Sequence, residues 1–324
     1  MTSGRILCIG LVGLDIVNTC ERYPEEDEDI RANFQRWQTG GNACNTCTVL
    51  NELGADCEFF GSMSYGLQAD FIRKHMEERK LRYKCVCHTN CGTPTSSVIL
   101  NLRTGSRTIV HARNNLPELT VEDFEKLNLS DYRWIHFEGR RNEEVIVKMI
   151  EIIEKFNTTR SCTDQVKVSV ELERPRESLL QLLRKGDVVF ISKDFARFRG
   201  FSSSAATVKS LHSQLKSGAI AICAWGEEGA DGVTPDGEVK HSDAYPPKKV
   251  IDSLGAGDTF IAGAIYSFCK GLPLQDSLNF ACFLAGVKCG MQGYDALVKE
   301  ALKHNTCKRP DLLVGSLVKD KDGT

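Results

Sequence analysis

Val250-Ile251-Asp252-Ser253-Leu254-Gly255-Ala256-Gly257-Asp258-Thr259-Phe260 reads as a glycine-rich turn running into apolar residues at helical spacing. Glycines there let backbone N–H groups approach an anion. The aligned peptide dipoles of the following helix add partial positive charge at the same point. Asp258 falls in the first helical turn, where an acidic side chain is either an N-terminal cap or a group aimed at the bound anion. The helix is expected over Gly257–Lys270, followed by a second over Leu274–Lys288.

Outward from this turn, short β-branched runs alternate with helical patterns. Strands are expected at Arg5–Val12, Cys57–Phe60, Trp134–Phe137, Lys167–Val170, Val188–Ile191 and Ala219–Cys223. Helices are expected at Asn42–Leu53, closed by Gly54, and at Leu67–Arg79, Glu143–Phe156, Arg176–Leu183 and Ser203–Lys216. This rhythm predicts an α/β fold with a mainly parallel sheet covered on both faces. Two stretches break it. Ile30–Gln38 is an aromatic-containing segment after the acidic Glu25–Asp29 run. Thr95–Leu102 and Arg107–Ala112 read as a hairpin joined by Arg103-Thr104-Gly105-Ser106. They are expected to form a small inserted β appendage, the alternative being an antiparallel edge of the main sheet. This divides the chain into a core (1–14, 43–93 and 114–298), a discontinuous inserted lid (15–42 and 94–113) and a loosely attached tail (299–324).

Composition narrows the function classes. The 324 residues carry 41 basic and 43 acidic side chains, a formal charge of −2, which lacks the basic excess of a nucleic-acid binder. No apolar run is long enough to span a membrane, and the N-terminal residues lack the pattern of a secretory signal. Fourteen cysteines are many. The groups Cys44-x-x-Cys47 and Cys85-x-Cys87-x-x-x-Cys91 lack the paired spacing of a zinc site. Cys8, Cys57, Cys223 and Cys282 sit inside apolar segments, where cysteine packs as a small hydrophobe. Reduced thiols and a cytoplasmic location are expected.

A second constellation lies near the N-terminus. Asp15 follows the first strand in Gly10-Leu11-Val12-Gly13-Leu14-Asp15. Gly40-Gly41-Asn42-Ala43-Cys44-Asn45 opens the next helix, and Asn42 and Asn45 share one face. An aspartate and two carboxamides in one cleft suit a polyhydroxylated ligand, and the plainer reading is a turn and a helix start. Gly-Gly-Asn-x-x-Asn at 40–45 together with Asp-x-x-Gly-Ala-Gly-Asp-Thr-Phe at 252–260 resembles the ribokinase-like carbohydrate kinase family. Gln35-Arg36-Trp37-Gln38, Trp134-Ile135-His136-Phe137-Glu138-Gly139-Arg140, Cys223-Ala224-Trp225-Gly226-Glu227-Glu228-Gly229-Ala230 and His241-Ser242-Asp243-Ala244 narrow it to a fructose-phosphorylating branch, over Arg5 to about Tyr294.

The resemblance implies a three-layer α/β/α core with a small inserted β-sheet lid, which in that branch also interlocks two subunits as a homodimer. It implies transfer of the ATP γ-phosphate to O1 of fructose, giving fructose 1-phosphate and ADP, with Mg2+. Asp258 matches the catalytic base, and Gly255, Ala256 and Gly257 the anion hole. Asp15, Gly41, Asn42 and Asn45 match sugar-binding positions, and Arg107 a lid arginine that approaches the phosphates. Gly226, Glu227, Glu228, Gly229, Pro246 and Pro247 match the nucleotide side, with Cys282 near the adenine. A K+ ion near Asp252 is a further implied feature, and no metal-ligand set is assigned. One departure stands out. Where many relatives carry Asn-x-x-Glu to organise magnesium, this chain reads Ile191-Ser192-Lys193-Asp194-Phe195-Ala196. Lys193 then either serves the phosphates or is a solvated surface lysine. Three alternatives remain: a kinase of another sugar or a nucleoside, a catalytically silent binding protein on the same fold, and a nicotinamide-dependent oxidoreductase. The last lacks the Gly-x-Gly-x-x-Gly fingerprint after its first strand.

Overall fold

The computed structural model describes residues 4–304 and 311–313. The chain runs β1 (Arg5–Ile9), β2 (Gly13–Cys20), β3 (Phe34–Gly40), α1 (Asn42–Glu52), β4 (Cys57–Met63), α2 (Leu67–Glu78), β5 (Arg82–Cys87), β6 (Thr95–Asn101), β7 (Arg107–Ala112) and α3 (Val121–Glu125). It continues with β8 (Tyr132–Glu138), α4 (Glu143–Asn157), β9 (Lys167–Leu172), α5 (Leu180–Leu183), β10 (Val188–Ile191), α6 (Lys193–Phe198), α7 (Ser204–Leu211) and β11 (Ile220–Ala224). The last elements are β12 (Ala230–Val233), β13 (Val239–Ser242), α8 (Ala256–Cys269), α9 (Leu274–Cys289) and α10 (Leu297–Leu302).

Nine strands form one sheet in the order β13-β12-β11-β10-β9-β8-β1-β4-β5. From β5 to β11 every pairing is parallel, and β12 and β13 add an antiparallel edge. Side chains alternate across a strand, so each strand feeds two cores. Ile6 and Cys8 of β1 point into a layer with α1, α2, α8 and α9, whereas Leu7 and Ile9 point into one with α4, α5 and α7. The result is helix, sheet, helix.

The expected hairpin is real, and it belongs to a separate four-stranded sheet of order β3-β2-β6-β7 rather than to the edge of the main one. Both faces of β2 are packed: Val17, Val98 and Leu100 close over Leu254 on one side, and Leu14 and Ile16 join the core with α1 and α2 on the other, whereas every residue of β7 is exposed. The expected strand Arg5–Val12 ends three residues early. β1 stops at Ile9, Gly10–Val12 form the crossing, and Gly13–Cys20, read as a turn at Asp15, is the strand β2 of the small sheet. Leu11 and Val12 continue the apolar run past the end of β1, so periodicity does not reveal where the strand stops. The helix expected over Arg176–Leu183 is a single 3-10 turn and four α-helical residues. That expected over Ser203–Lys216 stops at Leu211 before another 3-10 turn. The division at 298/299 falls inside α10, whose Ala301 is buried, and Leu312 and Leu313 pack into the core with α8 and α9. The remainder of the expected tail lies outside the described residues.

Candidate active site

The turn at Asp252–Asp258 closes the N-terminus of α8 as the sequence predicts. Gly255 caps the helix in the left-handed region (φ 76°), and a Cβ there would strike the Tyr294 hydroxyl. Only glycine meets both conditions. Gly257 faces open space on the side where a Cβ would stand. The first N–H groups of α8 therefore open onto accessible space, with the helix dipole behind them.

Asp258 lies in this first turn, 7 % exposed. Asn45 Nδ2 donates to its Oδ2 at 2.7 Å. Burial pushes the carboxyl up to about 8; the Asn45 bond opposes this, and the charges of Glu173, Glu138 and Asp15 add to it. Asp15, on β2, is also buried, and desolvation carries it to about 6 against hydrogen bonds from Ser96 and Gln38 and the charge of Arg36. Gly41 caps α1 at φ 102°, with the Leu11 carbonyl where a Cβ would go. This sets Asn42 as the first residue of α1 and turns Asn45 onto Asp258. Asn42 faces elsewhere: its Nδ2 donates to Glu171 Oε1 at 3.2 Å.

The small sheet reaches the same turn. Arg107 Nη1 donates to Ser253 Oγ at 3.0 Å. Arg36 on β3 bonds Asp252 Oδ2 at 3.0 Å. Asp252 is fully enclosed. The buried Lys288 ammonium lies 3.4 Å from its carboxylate and donates to its carbonyl at 2.9 Å, and the N–H groups of Leu254 and Gly293 complete the shell. Two side-chain cations already neutralise the group beside which K+ was expected, so the donor set does not fit a further cation there.

The residues expected on the nucleotide side fall together. Lys193 Nζ lies over the Trp225 ring and 4.0 Å from Glu228 Oε1, next to the Gly226–Glu228 turn. Gly229 backs onto Ser242 and Ala244, and the Cys282 thiol donates to the Ser242 carbonyl at 3.8 Å. Tyr245 and Pro247 then lie along α9 at Gly286 and Gly290. Cys282, Gly286 and Gly290 are one turn apart, so small residues on one helix face make room for this strand of backbone.

Sequence reasoning missed the acidic floor of the cleft. Glu138 ends β8, and Glu171 and Glu173 stand at the end of β9. Glu138 Oε2 accepts from Leu11 N–H at 2.9 Å and Ala43 N–H at 3.2 Å, and Arg140 Nη1 donates to Oε1 at 2.7 Å. Burial, then the charges of Glu173, Asp258 and Glu138, hold Glu171 well above the usual carboxylate range. A charged residue at the carboxyl end of an otherwise apolar parallel strand was the available signal, because ligands bind outside those ends in open α/β sheets.

A dipole-backed anion site, an adjacent buried carboxylate and a carboxamide cluster on a three-layer α/β core define a phosphotransferase architecture. Residues 3–300 match the pfkB family of carbohydrate kinases, and the chain belongs to that family. It is a phosphotransferase acting on a sugar hydroxyl. Among relatives, ketohexokinase of Mus musculus is 49 % identical over 299 residues, covering 92 % of this chain and 100 % of the mouse protein. The 1-phosphofructokinase of Borreliella burgdorferi is 26 % identical over 304 residues, 90 % of each chain. The solved ribokinase of Giardia lamblia has the same fold, with a TM-score of 0.79 at 16 % identity, covering 98 % of this chain and 100 % of that one.

Proposed function

We propose that this chain is an ATP-dependent ketose kinase that transfers the γ-phosphoryl group to O1 of fructose, yielding fructose 1-phosphate and ADP. The observation that carries this reading is Asp258, buried beside the Gly255–Gly257 turn and held by Asn45. The 49 % identity to a ketohexokinase supports the choice of sugar. A carboxyl titrating at about 8 is matched to general-base work near neutral pH. Its Oδ1 takes the proton of the attacking hydroxyl, while the N–H groups of the turn stabilise charge on the moving phosphoryl group. Asp15, Asn42, Asn45 and the Gly41 backbone orient the sugar. The nucleotide lies along Gly226–Gly229, Pro246–Pro247 and Cys282, with Lys193 and Arg107 near its phosphates. Mg2+, when bound with ATP, supplies charge neutralisation at the phosphates.

The small sheet serves as a lid that excludes water, turning about Gly40-Gly41 and Gly92–Pro94. The exposed Phe34, Trp37, Ile109 and Val110 on it support pairing with a second copy, measurable as a dimer by light scattering. No described helix is long and apolar enough to cross a membrane. The cysteines among the described residues are all free, which suits a reducing cytoplasm. A coupled ADP-release assay over fructose, tagatose, ribose and adenosine tests the reading. Turnover is expected with the ketoses, fructose foremost; turnover confined to ribose or adenosine overturns the choice of sugar, and ATP binding without turnover on any acceptor overturns the kinase reading.

A further inference from the structure

The chain lacks Asn-x-x-Glu at 192–195, yet triphosphate chemistry calls for a divalent cation near the phosphates. The carboxylates are instead on the neighbouring strand. The N–H of Ser192 donates to Leu172 O at 3.0 Å, and its hydroxyl to Glu173 O at 2.7 Å. The start of α6 is thereby fastened to the end of β9, where Glu171 and Glu173 emerge.

Each acidic group of this floor has a partner, but one buried carboxyl oxygen has none. Glu138 is met by Arg140 and two backbone N–H groups. Glu173 lies 3.1 Å from Arg174 Nε, and Asp258 accepts from Asn45. Glu171 is 6 % exposed and has no ion pair among the described residues. Its Oε1 has Asn42, and its Oε2 is buried without a hydrogen-bond partner. An orphaned carboxyl oxygen among other carboxylates, near enough to Asp258 to feel its charge, calls for a proton or a cation.

We propose that Glu171, with Glu173 beside it, holds the divalent cation that accompanies the nucleotide, replacing the motif missing from α6. This rests on reading the Gly255–Gly257 turn as the phosphate site. Among the described residues no three Asp, Glu, His or Cys side chains are grouped as a cage. One or two carboxylates with water and phosphate oxygens is the habit of Mg2+, and it excludes a structural zinc or a fully protein-liganded calcium.

The test uses Mn2+ as probe. The full chain, saturated with adenylyl imidodiphosphate, is titrated with Mn2+ while free Mn2+ is followed by electron paramagnetic resonance. Glu171→Gln, which preserves shape, is expected to weaken Mn2+ binding by about tenfold or more, with nucleotide affinity in metal-free buffer retained. Glu173→Gln is expected to give a smaller loss, and Glu171→Asp, which keeps the charge, an intermediate one. Mn2+ affinity within twofold of wild type in Glu171→Gln overturns the proposal. So does a variant that loses fructose binding without metal while keeping its Mn2+, since that outcome assigns Glu171 to the sugar. None of these readouts needs sugar turnover, so they are separable from a failed kinase assay.

Discussion

At the scale of single residues, Asp258 makes the sharpest commitment. Asp258→Asn keeps the shape and still accepts from Asn45, so sugar binding should persist while ADP release falls by about 10³-fold; turnover within tenfold of wild type would remove Asp258 from the base role. The same substitution carries a stability signature. The folded carboxyl titrates at about 8 against an ordinary 3.8, so between those values the folded chain holds a proton that the unfolded chain releases. Stability at this site therefore falls as pH rises through that window. Asn carries no such proton, so the melting temperature of the variant should match wild type near pH 4 and exceed it increasingly toward pH 8. A pH-independent difference would contradict the burial argument. Tyr294 gives a second residue-scale expectation. Its hydroxyl is buried against Gly255 with no hydrogen-bond partner. Tyr294→Phe should be neutral or stabilising by about 1 kcal/mol in urea unfolding. A loss of more than that would mean the hydroxyl has a partner.

Between elements, the contact that matters most joins the small sheet, α9 and the turn before α8. Asp252 receives Arg36 from β3 and Lys288 from α9. Asp252→Asn leaves the Lys288 ammonium enclosed without a counter-charge, a change that costs about 3–5 kcal/mol in comparable buried pairs. Equilibrium unfolding in urea measures it. Adding Lys288→Met should recover much of the loss, and a single-variant cost under about 1 kcal/mol would show the pair to be incidental. The elements themselves were largely legible. Helical spacing placed Asn42 and Asn45 on one face of α1, and the glycine-rich turn placed Asp258 in the first turn of α8. What the two asparagines face was not legible. Asn45 meets Asp258 and Asn42 meets Glu171, residues 213 and 129 positions away. Arg36 lay within a segment already singled out, but nothing local connects β3 to a carboxylate 216 residues later.

For the whole molecule, the described parts of the segment after residue 298 belong to the core. Leu312 and Leu313 pack with α8 and α9, and Tyr266 donates to the Leu312 carbonyl at 3.3 Å. Leu313→Ala should destabilise the chain by about 2–5 kcal/mol, read as a lowered urea midpoint, because the enclosed site cannot fully collapse. An unchanged midpoint would make the segment a surface attachment. The polar composition after Gly293 hid this, since a short apolar run such as Leu312-Leu313-Val314 gives no helical or strand period.

The sequence by itself determined the α/β class, most helix and strand positions, and the anion-binding turn with its aspartate. Each of these follows from backbone preference and side-chain spacing within a few residues. Tertiary packing alone set the end of β1 at Ile9 with β2 placed in a second sheet, the clasp of two cations on Asp252, and the shared floor of Glu138, Glu171, Glu173 and Asp258. Those outcomes depend on strand order, which sets β1 between β4 and β8 and brings the ends of β8 and β9 up to the turn at α8. Strand order is settled by how distant apolar faces pack, and local spacing does not encode it.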